Sequence, residues 1–285
     1  MATALILEGG AKRGIYTAGF LDILLENNLF VDAVFGVSAG AIHGCTYAAK
    51  QIGRSIRYNL KYGNDPRFGS FQNLLKTGNI VDTEFCYHTL PDTLDPFDHN
   101  AFESSGIKFF AVCSNVETGQ AEYIHCAELR DKIDCIRASA SMPFVSQIVE
   151  LDGKKFLDGG ICDSIPLKAA QNLGYKKNIV ILTRPLGYRK KNRFNRFLAK
   201  LVYHKYPKFA EAIIKRASMY NQELDFVAEA EKSFDTLVFR PSQLIHIKHL
   251  EQNLNVVKQM YELGRHDATL HLEQIKKFIS SNPHP

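Results

Sequence analysis

The segment V-F-G-V-S-A-G at residues 34–40 constrains the fold of this chain more than any other stretch. Residues 32–35 form a short, mostly apolar run that is typical of a strand, and the alanine-rich run at 39–50 favours a helix. Between them lies G-x-S-x-G, in which two glycines permit a strained turn that exposes a serine above a helix N-terminus. The pattern predicts a strand, a turn and a helix, with Ser38 either a nucleophile or part of a purely structural turn.

A glycine-rich loop follows the first apolar run of the chain. Residues 4–7 have the composition of a buried strand, residues 8–14 read E-G-G-A-K-R-G, and the amphipathic run at 15–26 predicts a helix. Such a loop presents backbone N–H groups to an anion. It lacks the spacing of a P-loop and has Ala11 in place of the middle glycine of G-x-G-x-x-G, so a nucleotide site is the weaker alternative.

A third turn carries an aspartate. Residues 148–151 and 155–157 predict a hairpin across Asp152 and Gly153, and the chain then reads D-G-G from Asp158. An aspartate beside glycines at the end of a strand is also common in turns that have only a structural role. This motif alone therefore leaves both interpretations open.

In this order, the three motifs resemble those of the patatin-like phospholipase family, and of bacterial patatin-like acyl hydrolases in particular. The resemblance extends over roughly residues 4–185 and includes the stretch A-S-A-S-M-P-F at 138–144. It implies a lipid acyl hydrolase with a catalytic dyad of Ser38 and Asp158, in which no histidine takes part. The implied oxyanion hole consists of the backbone N–H groups of Gly9, Gly10 and Ala11, and the supporting residues of the motifs are Arg13, Gly14, Gly36, Gly40, Gly159 and Gly160.

Ala11 is a departure from the family pattern, because many members carry glycine at this position. Alanine is strained wherever the backbone needs a positive φ, so the geometry of the loop is a question that the structure must answer. Arg13, two residues further on, is equally consistent with holding the loop and with contacting a lipid phosphate. The sequence therefore gives a clearer prediction for the residues of the dyad than for the conformation of the loop.

Two other functions remain open. A Ser-His-Asp hydrolase of the ordinary α/β type has its histidine after the acid, and four histidines at 246–271 lie after Asp158. The early position of Ser38, after one βα unit, favours the dyad, and the late histidines are expected on solvated helix faces. His43 lies in the same helix as Ser38 and is expected to point elsewhere. The second alternative is a non-catalytic protein that keeps the fold to bind lipid. The late histidines are His246, His249, His266 and His271.

The alternation of elements defines the fold class. The 285 residues are 45% hydrophobic and 23% charged, which is typical of one large domain with additions. Strands alternating with helices predict a three-layer α/β/α sandwich with a mostly parallel central sheet, plus C-terminal helices. We expect an acyl hydrolase domain at 1–240 and a helical extension at 241–285 packed on it. A solvated loop is expected at 89–100, and the tail is expected to form two helices separated near Gly264.

Signals for targeting, metal binding and cofactor binding are weak. No stretch approaches the roughly 18 apolar residues of a membrane span, and no basic n-region precedes an apolar core, so we expect a cytoplasmic protein. Its six cysteines include no C-x-x-C pair, which is evidence against a zinc or redox site and predicts buried thiols. We predict neither a metal nor a cofactor.

A basic segment at 188–208 differs in character from the rest of the chain. It contains eight Lys or Arg residues and no acidic residue. Four apolar residues recur in it at helical spacing, which predicts one apolar helix face. Such a helix either lies peripherally on an anionic membrane, here at its inner face, or caps the core with its basic face solvated. A nucleic acid partner is not expected, because no fold signature accompanies the run. The four apolar residues are Phe194, Phe197, Leu198 and Leu201.

Overall fold

A central sheet organises the protein, whose computed structural model describes residues 1–191 and 195–281. Its strands in the described part are β1 (Thr3–Leu7), β2 (Ala33–Val37), β3 (Lys108–Asn115), β4 (Gln120–His125), β5 (Val149–Leu151), β6 (Lys154–Asp158), β7 (Lys177–Ile181) and β8 (Thr236–Phe239). The main order is β5-β6-β3-β2-β1-β7-β8, with β4 paired to β3. Strands β3, β2, β1, β7 and β8 run parallel, whereas β4 and β6 run antiparallel to β3.

Helices cover both faces of this sheet. The α-helices of the described part are α1 (Ile15–Glu26), α2 (Ala39–Ala48), α3 (Arg54–Tyr62), α4 (Phe71–Thr77), α5 (His99–Glu103), α6 (Asp134–Ala140), α7 (Leu167–Asn172), α8 (Arg196–Val202), α9 (Pro207–Ala230), α10 (Leu254–Leu270) and α11 (Leu272–Ser280). Short 3-10 turns occupy Ala11–Gly14, Pro66–Phe68 and Gly159–Ile161, and a wide π-helical segment occupies Phe85–Leu94.

Alternate strand residues face two separate hydrophobic layers. Leu5 and Leu7 of β1 pack in a core with α1, α2 and α10, whereas Ala4 and Ile6 pack in a second core with α7 and α9. Because side chains alternate across a strand, a sheet buried on both faces needs apolar residues at every position. The predicted mixed α/β fold with a mostly parallel sheet and C-terminal helices is therefore confirmed.

Helix α1 is buried on nearly all sides, so the predicted amphipathic character is wrong. Its buried residues include Asp22, whose carboxylate accepts a 2.6 Å hydrogen bond from the Tyr261 hydroxyl of α10. A reciprocal pair forms where the Tyr16 hydroxyl of α1 donates to Asp267 of α10 at 3.1 Å. The C-terminal helix thus covers the face of α1 that sequence periodicity assigned to solvent.

The predicted helix break near Gly264 is also wrong, because α10 continues through this residue and ends at Leu270. A Cβ atom on Gly264 would lie 2.0 Å from the Tyr16 carbonyl oxygen, and one on Gly19 would lie 2.1 Å from the Tyr261 carbonyl oxygen. Both glycines therefore serve the close crossing of α1 and α10 rather than a turn. The cost of glycine in a helix is offset here by packing.

The solvated loop predicted at 89–100 is only partly correct. The π-helical segment extends through Leu94, and the side chain of Asp95 is buried. Its carboxylate accepts hydrogen bonds from the Arg57 guanidinium at 2.7 and 2.8 Å, and Arg54 lies 3.5 Å away. Asp95, which composition assigned to solvent, is here paired with cations from α3, and this pairing makes its burial tolerable.

The basic segment forms helix α8, but its apolar face points to solvent. Phe197 is 74% exposed and Leu201 is 58% exposed, whereas Ala199 and Tyr203 contact the core. Phe194, which the predicted face includes, lies outside the described residues. None of the helices in the described part combines the length and apolarity that a bilayer crossing requires.

Candidate active site

Ser38 occupies a strained turn between β2 and α2. Its backbone has φ 54° and ψ −119°, a conformation in which a non-glycine residue is uncommon and which clusters at functional sites. A Cβ atom on Gly36 would lie 2.5 Å from the Ala41 Cα, and one on Gly40 would lie 2.4 Å from the Leu7 carbonyl oxygen. The two glycines of the motif are thus required by close packing on either side of the serine.

The backbone of Ser38 is held by a residue that sequence reasoning did not single out. The Ser38 N–H donates to the Ser139 hydroxyl oxygen at 2.9 Å, and the Ser139 hydroxyl in turn donates to the Val112 carbonyl at 2.7 Å. Both bonds are buried, so neither competes with water. Ser139 lies in the stretch 138–144, whose alternating small residues were the only signal available.

The glycine-rich loop lies directly beside the serine. A Cβ atom on Gly9 would be 3.1 Å from the Ser38 Cβ, and one on Gly10 would be 2.7 Å from the Thr183 hydroxyl. The N–H groups of Gly9, Gly10 and Ala11 take part in none of the hydrogen bonds formed among the described residues. These donors are therefore available to an anion next to the Ser38 hydroxyl.

Ala11 adopts a positive φ of 47°, so the loop does require a positive φ at the position where many family members carry glycine. An L-residue in this left-handed region is strained by about 1 kcal/mol relative to glycine. The strain persists because the 3-10 turn that begins at Ala11 packs tightly: a Cβ atom on Gly14 would lie 2.6 Å from the Ala39 Cβ at the start of α2. Loop and nucleophile turn are thereby fixed relative to each other.

Strand β3 brings Asp158 to the same edge of the sheet as Ser38. Val37 of β2 is the register partner of Val112, and Asp158 of β6 is the partner of Cys113, the next residue of β3. A Cβ atom on Gly159 would lie 2.1 Å from the Val112 carbonyl oxygen, so only glycine permits this turn. Ser38 and Asp158, which are far apart in the sequence, are thus brought close together because β2 and β6 both pair with β3.

The carboxyl of Asp158 is buried and faces the serine. Burial raises its pKa above the usual range, while Arg216, hydrogen bonding from the Ser38 hydroxyl and a 2.8 Å bond from the Gly160 N–H counteract part of this shift. A raised pKa makes the carboxylate a stronger base. The arrangement suits proton transfer between the Ser38 hydroxyl and Asp158.

Histidines occupy other places. None of the hydrogen bonds formed within residues 1–191 and 195–281 joins a histidine ring to Ser38 or Asp158. His43 is buried, its Nδ1 lies 2.9 Å from the Ser55 hydroxyl, and burial lowers its pKa to about 3. Within the same part of the chain, no set of three or more His, Cys, Asp or Glu side chains is arranged to hold a metal.

Of the four late histidines, His249 lies at the site, although the sequence placed all four on solvated helix faces. It precedes α10 in an irregular segment and lines both pockets that meet at Ser38. Its side chain is still partly exposed, and the parts that are buried, together with nearby cations, lower its pKa to about 4. His266 and His271 are exposed on the C-terminal helical region.

An apolar pocket opens on one side of Ser38. It extends between α2, α3, the π-helical segment and α6, and its volume is about 200 Å³. Ile42 lies one helical turn after Ser38 and borders the pocket. A cleft of this composition takes a hydrocarbon chain by removing apolar surface from water. Other apolar lining residues are Ile15, Ile80, Val81, Tyr87, Leu90 and Ile136.

A second, polar pocket opens on the other side. Ser38, Asp158 and the glycine-rich loop form one wall of it. Residues later in the chain contribute much of the remaining lining, among them Arg184, Tyr188, Lys190, Arg216, Tyr220 and His249. Ser38 therefore stands between an apolar compartment and a compartment rich in cations.

A mostly parallel sheet between helical layers, with a serine on a strained strand-to-helix turn, defines a class of α/β proteins that includes many acyl hydrolases. The family model described as patatin-like phospholipase matches residues 5–170, more than half of the chain. The chain belongs to the patatin-like phospholipase family, and this membership supports a lipid acyl hydrolase activity in general. A second model, described as a domain of unknown function (DUF6363), matches residues 206–280.

Similar proteins vary greatly in length. An uncharacterised Escherichia coli protein, YjjU, is 27% identical over 97% of this chain and 79% of its own length. Patatin-like phospholipase domain-containing protein 7 of Rattus norvegicus is 26% identical over 63% of this chain, and lysophospholipase nte1 of Emericella nidulans is 27% identical over 61%. The chain spans only 13% and 11% of those two proteins, so the similarity concerns a part of each.

Proposed function

We propose that this protein is a serine acyl hydrolase that cleaves fatty acyl esters of lipids through a dyad of Ser38 and Asp158. The observation that carries the proposal is the position of a strained serine against a buried carboxyl of raised pKa, at the mouth of an apolar pocket. The family match supports the reaction class. A Ser-His-Asp mechanism is not favoured, because no histidine ring among the described residues is hydrogen-bonded to Ser38 or Asp158.

The reaction proceeds in two halves. Asp158 accepts the Ser38 proton as the serine oxygen attacks the ester carbonyl carbon, and it then passes that proton to the departing alkoxide. The acyl-serine that results is hydrolysed by water, which gives a proton to Asp158 and its oxygen to the acyl carbon. The proton finally returns to Ser38, so the enzyme is regenerated.

The tetrahedral intermediate needs donors where its negative charge develops. In this proposal the N–H groups of Gly9, Gly10 and Ala11 supply them, because they lie beside Ser38 and have no partner among the described residues. Removing one such donor typically costs about 3 to 4 kcal/mol of transition-state stabilisation. The N–H of Ser38 is engaged by Ser139 and does not contribute.

The pH dependence follows from the base. Asp158 must be ionised to accept the serine proton, and its pKa lies above that of an ordinary aspartate. Activity should therefore rise with pH through this raised pKa and be lost as pH falls below it. A pH profile of kcat/KM on a neutral ester measures this limb directly.

The dyad is tested by removing the base. Asp158→Asn should reduce ester hydrolysis about as far as Ser38→Ala, on the order of 10³-fold or more, because either change removes one member of a unit. Changing His246, His266 and His271 together to Gln should leave activity unchanged, and His249→Gln should keep the chemical step. Labelling with a fluorophosphonate reports serine activation without a chosen substrate. A folded histidine variant that loses labelling would contradict the dyad, and a wild-type chain that neither labels nor hydrolyses would indicate a lipid-binding protein.

We further propose that helix α8 brings the enzyme to an anionic membrane. Phe197 and Leu201 are exposed side by side on a helix within the basic segment. Such a helix buries its apolar face in the headgroup region while its cations contact anionic lipids. Tyr203, one residue past α8, accepts a 3.0 Å hydrogen bond from the Phe144 N–H, next to the pocket residue Pro143. The cytoplasmic location expected from the sequence remains a prediction.

Membrane contact is tested by sedimentation with vesicles. Wild-type protein should sediment with anionic vesicles at low salt and detach at high salt, because salt screens exposed charges. Phe197→Ser with Leu201→Ser should abolish sedimentation. Phe234→Ser is the matched control, since Phe234 is 98% exposed but precedes β8 at the opposite end of the sheet. Equal sedimentation of all three proteins would contradict a role for α8.

A further inference from the structure

Helix α9 packs beside the turn that carries Asp158. Its buried Ile213 belongs to the same hydrophobic cluster as Leu157 and Ile161, which precede and follow Asp158 in the chain. The helix falls within residues 206–280, the segment that matches the domain of unknown function. Part of that segment is thus in direct contact with the elements that carry the candidate dyad.

Three polar residues of α9 extend towards the site from one face of the helix. Arg216, Tyr220 and Glu223 are four and three positions apart, a spacing that places side chains on the same face. The Tyr220 hydroxyl donates a 2.7 Å hydrogen bond to Glu8, the first residue of the glycine-rich loop, and Glu223 accepts bonds of 3.1 and 3.2 Å from the Ser164 N–H. Burial of polar side chains is costly unless they are paired, so this face fits these particular partners rather than general packing.

Arg216 is bonded to the residue that orients the Asp158 carboxylate. The Arg216 Nε–H donates to the Gly160 carbonyl oxygen at 2.7 Å, and the Ser164 hydroxyl donates to the same oxygen at 2.8 Å. The N–H of Gly160 donates to Asp158 Oδ1 at 2.8 Å. A Cβ atom on Gly160 would lie 3.1 Å from that carboxylate oxygen and 3.4 Å from Arg216 Nη2, so the carboxylate and the guanidinium lie against the same residue. Movement of Gly160 would change the direction of the carboxylate, and the bond from Arg216 restrains this movement.

The charge of Arg216 also acts on the base. Burial raises the pKa of Asp158, and the Arg216 guanidinium is the strongest influence that opposes this shift, ahead of the Lys190 ammonium. A cation near a buried carboxyl favours its charged form. Only the ionised carboxyl can accept the Ser38 proton, so Arg216 extends the working range of the base to lower pH.

We propose that Arg216 is a positioning residue for the Asp158 base, so that the segment of unknown function completes the active site of the patatin-like segment. The proposal rests on the proposed acyl hydrolase function and concerns how its base is held. Arg216 acts on Asp158 through Gly160 and through its own charge. Two properties of the base therefore depend on α9, namely its direction towards Ser38 and its readiness to accept a proton.

Other groups around Asp158 bear on its charge and stay unchanged in the test. Besides Arg216, the charged or titratable groups that line the polar pocket with Asp158 are Glu8, Arg13, Arg184, Tyr188, Lys190, Tyr220 and His249. Cys113 of β3 and Tyr87 of the π-helical segment also lie near it, and burial raises the pKa of both, so they stay protonated. A variant of Arg216 changes one cation of this set, so a displaced pH profile reports on that cation.

The test measures hydrolysis of para-nitrophenyl butyrate, a neutral ester, as a function of pH. Arg216→Gln removes the charge, so the acid limb of kcat/KM should move to higher pH, and activity at about pH 7 should fall on the order of 10- to 100-fold. The fall should appear mainly in kcat, because Arg216 acts on the base and not on the bound ester. Labelling by a fluorophosphonate should slow in parallel, since it depends on the same activation of Ser38.

Arg216→Lys separates charge from geometry. Lysine keeps the positive charge, so the acid limb should stay near its wild-type position, whereas kcat should fall about 3- to 10-fold because an ammonium does not reproduce the planar fork of the guanidinium. A purely structural role would lower the free energy of unfolding and leave the pH profile of both variants in place. If Arg216→Gln does not fold, the lysine variant decides alone, and a wild-type kcat in it would overturn the proposal.

Lys215→Gln is the matched control, since Lys215 is adjacent to Arg216 in α9 but exposed and paired with Glu211. It loses the same charge and should keep the wild-type profile. An acid limb that stays in place in Arg216→Gln would overturn the proposal. So would a loss confined to KM, which would make Arg216 a contact of the ester. Failure of all hydrolysis and labelling in the wild type would instead contradict the proposed function on which this inference depends.

Discussion

The two pockets that meet at Ser38 differ in chemistry and in the part of the chain that builds them. The apolar pocket is formed almost entirely by residues 11–146, within the patatin-like match. The polar pocket shares the glycine-rich loop and Asp158 with that match, but its cations beyond Arg13 come from residues 184–216. The apolar side of Ser38 therefore belongs to the segment that matches the family model, whereas the polar side depends on later segments.

The two sides differ in the kind of interaction that they offer. An acyl chain is recognised by burial of apolar surface, which is non-directional and tolerates many chain shapes. On the polar side, cations are held by α9, by aromatic rings and by the loop after β7. Ser38 and Asp158 thus lie within the first segment, whereas the polar lining depends on residues after it.

The largest effect should come from the loop that both pockets share. Ala11→Val places a β-branched residue at φ 47° and should misalign the oxyanion donors. Ester hydrolysis should fall by about 10²-fold or more. Ala11→Gly, the matched control, should relieve strain, stay active and change the free energy of unfolding by at most about 1 kcal/mol. Full activity of Ala11→Val would exclude this loop as the oxyanion hole.

A smaller effect is expected from a substitution that changes the apolar pocket alone. Ile42→Phe narrows the apolar pocket one turn after Ser38, so kcat/KM for long-chain esters should fall about tenfold relative to an acetyl ester. Ile52→Phe is the control, because Ile52 is 48% exposed and lies outside the pocket lining. If chain-length dependence stayed the same in both variants, the acyl chain would have to bind elsewhere.

The catalytic region was accessible to sequence reasoning because its motifs are local. The turn at Ser38 and the hairpin across Asp152 and Gly153 each depend on residues within a few positions, and the structure contains both. The pairing of Ser38 with Asp158 came from a family resemblance rather than from spacing. It stays a proposal, although the register of β3 brings the two side chains together.

Other features depended on contacts between distant residues. Ser139 fixes the Ser38 backbone through one hydroxyl, and nothing in its own neighbourhood indicates that partner. The basic segment was recognised by its charge, but the exposure of Phe197 on α8 followed only from what packs beneath the helix. His249 lies at the site because it belongs to an irregular segment before α10, whereas the sequence predicted a helix there.

By itself, the sequence determined the order of strands and helices, the strained turn that carries Ser38 and the glycine-rich loop beside it, because local sterics and alternating apolar residues specify such elements. Tertiary structure decided that α10 covers α1 through Gly19 and Gly264, and that cations from residues 13 to 216 converge in one pocket. The physical reason is the separation along the chain over which each effect acts. Backbone strain acts within a few residues, whereas helix crossings and charge clusters depend on which distant surfaces come into contact.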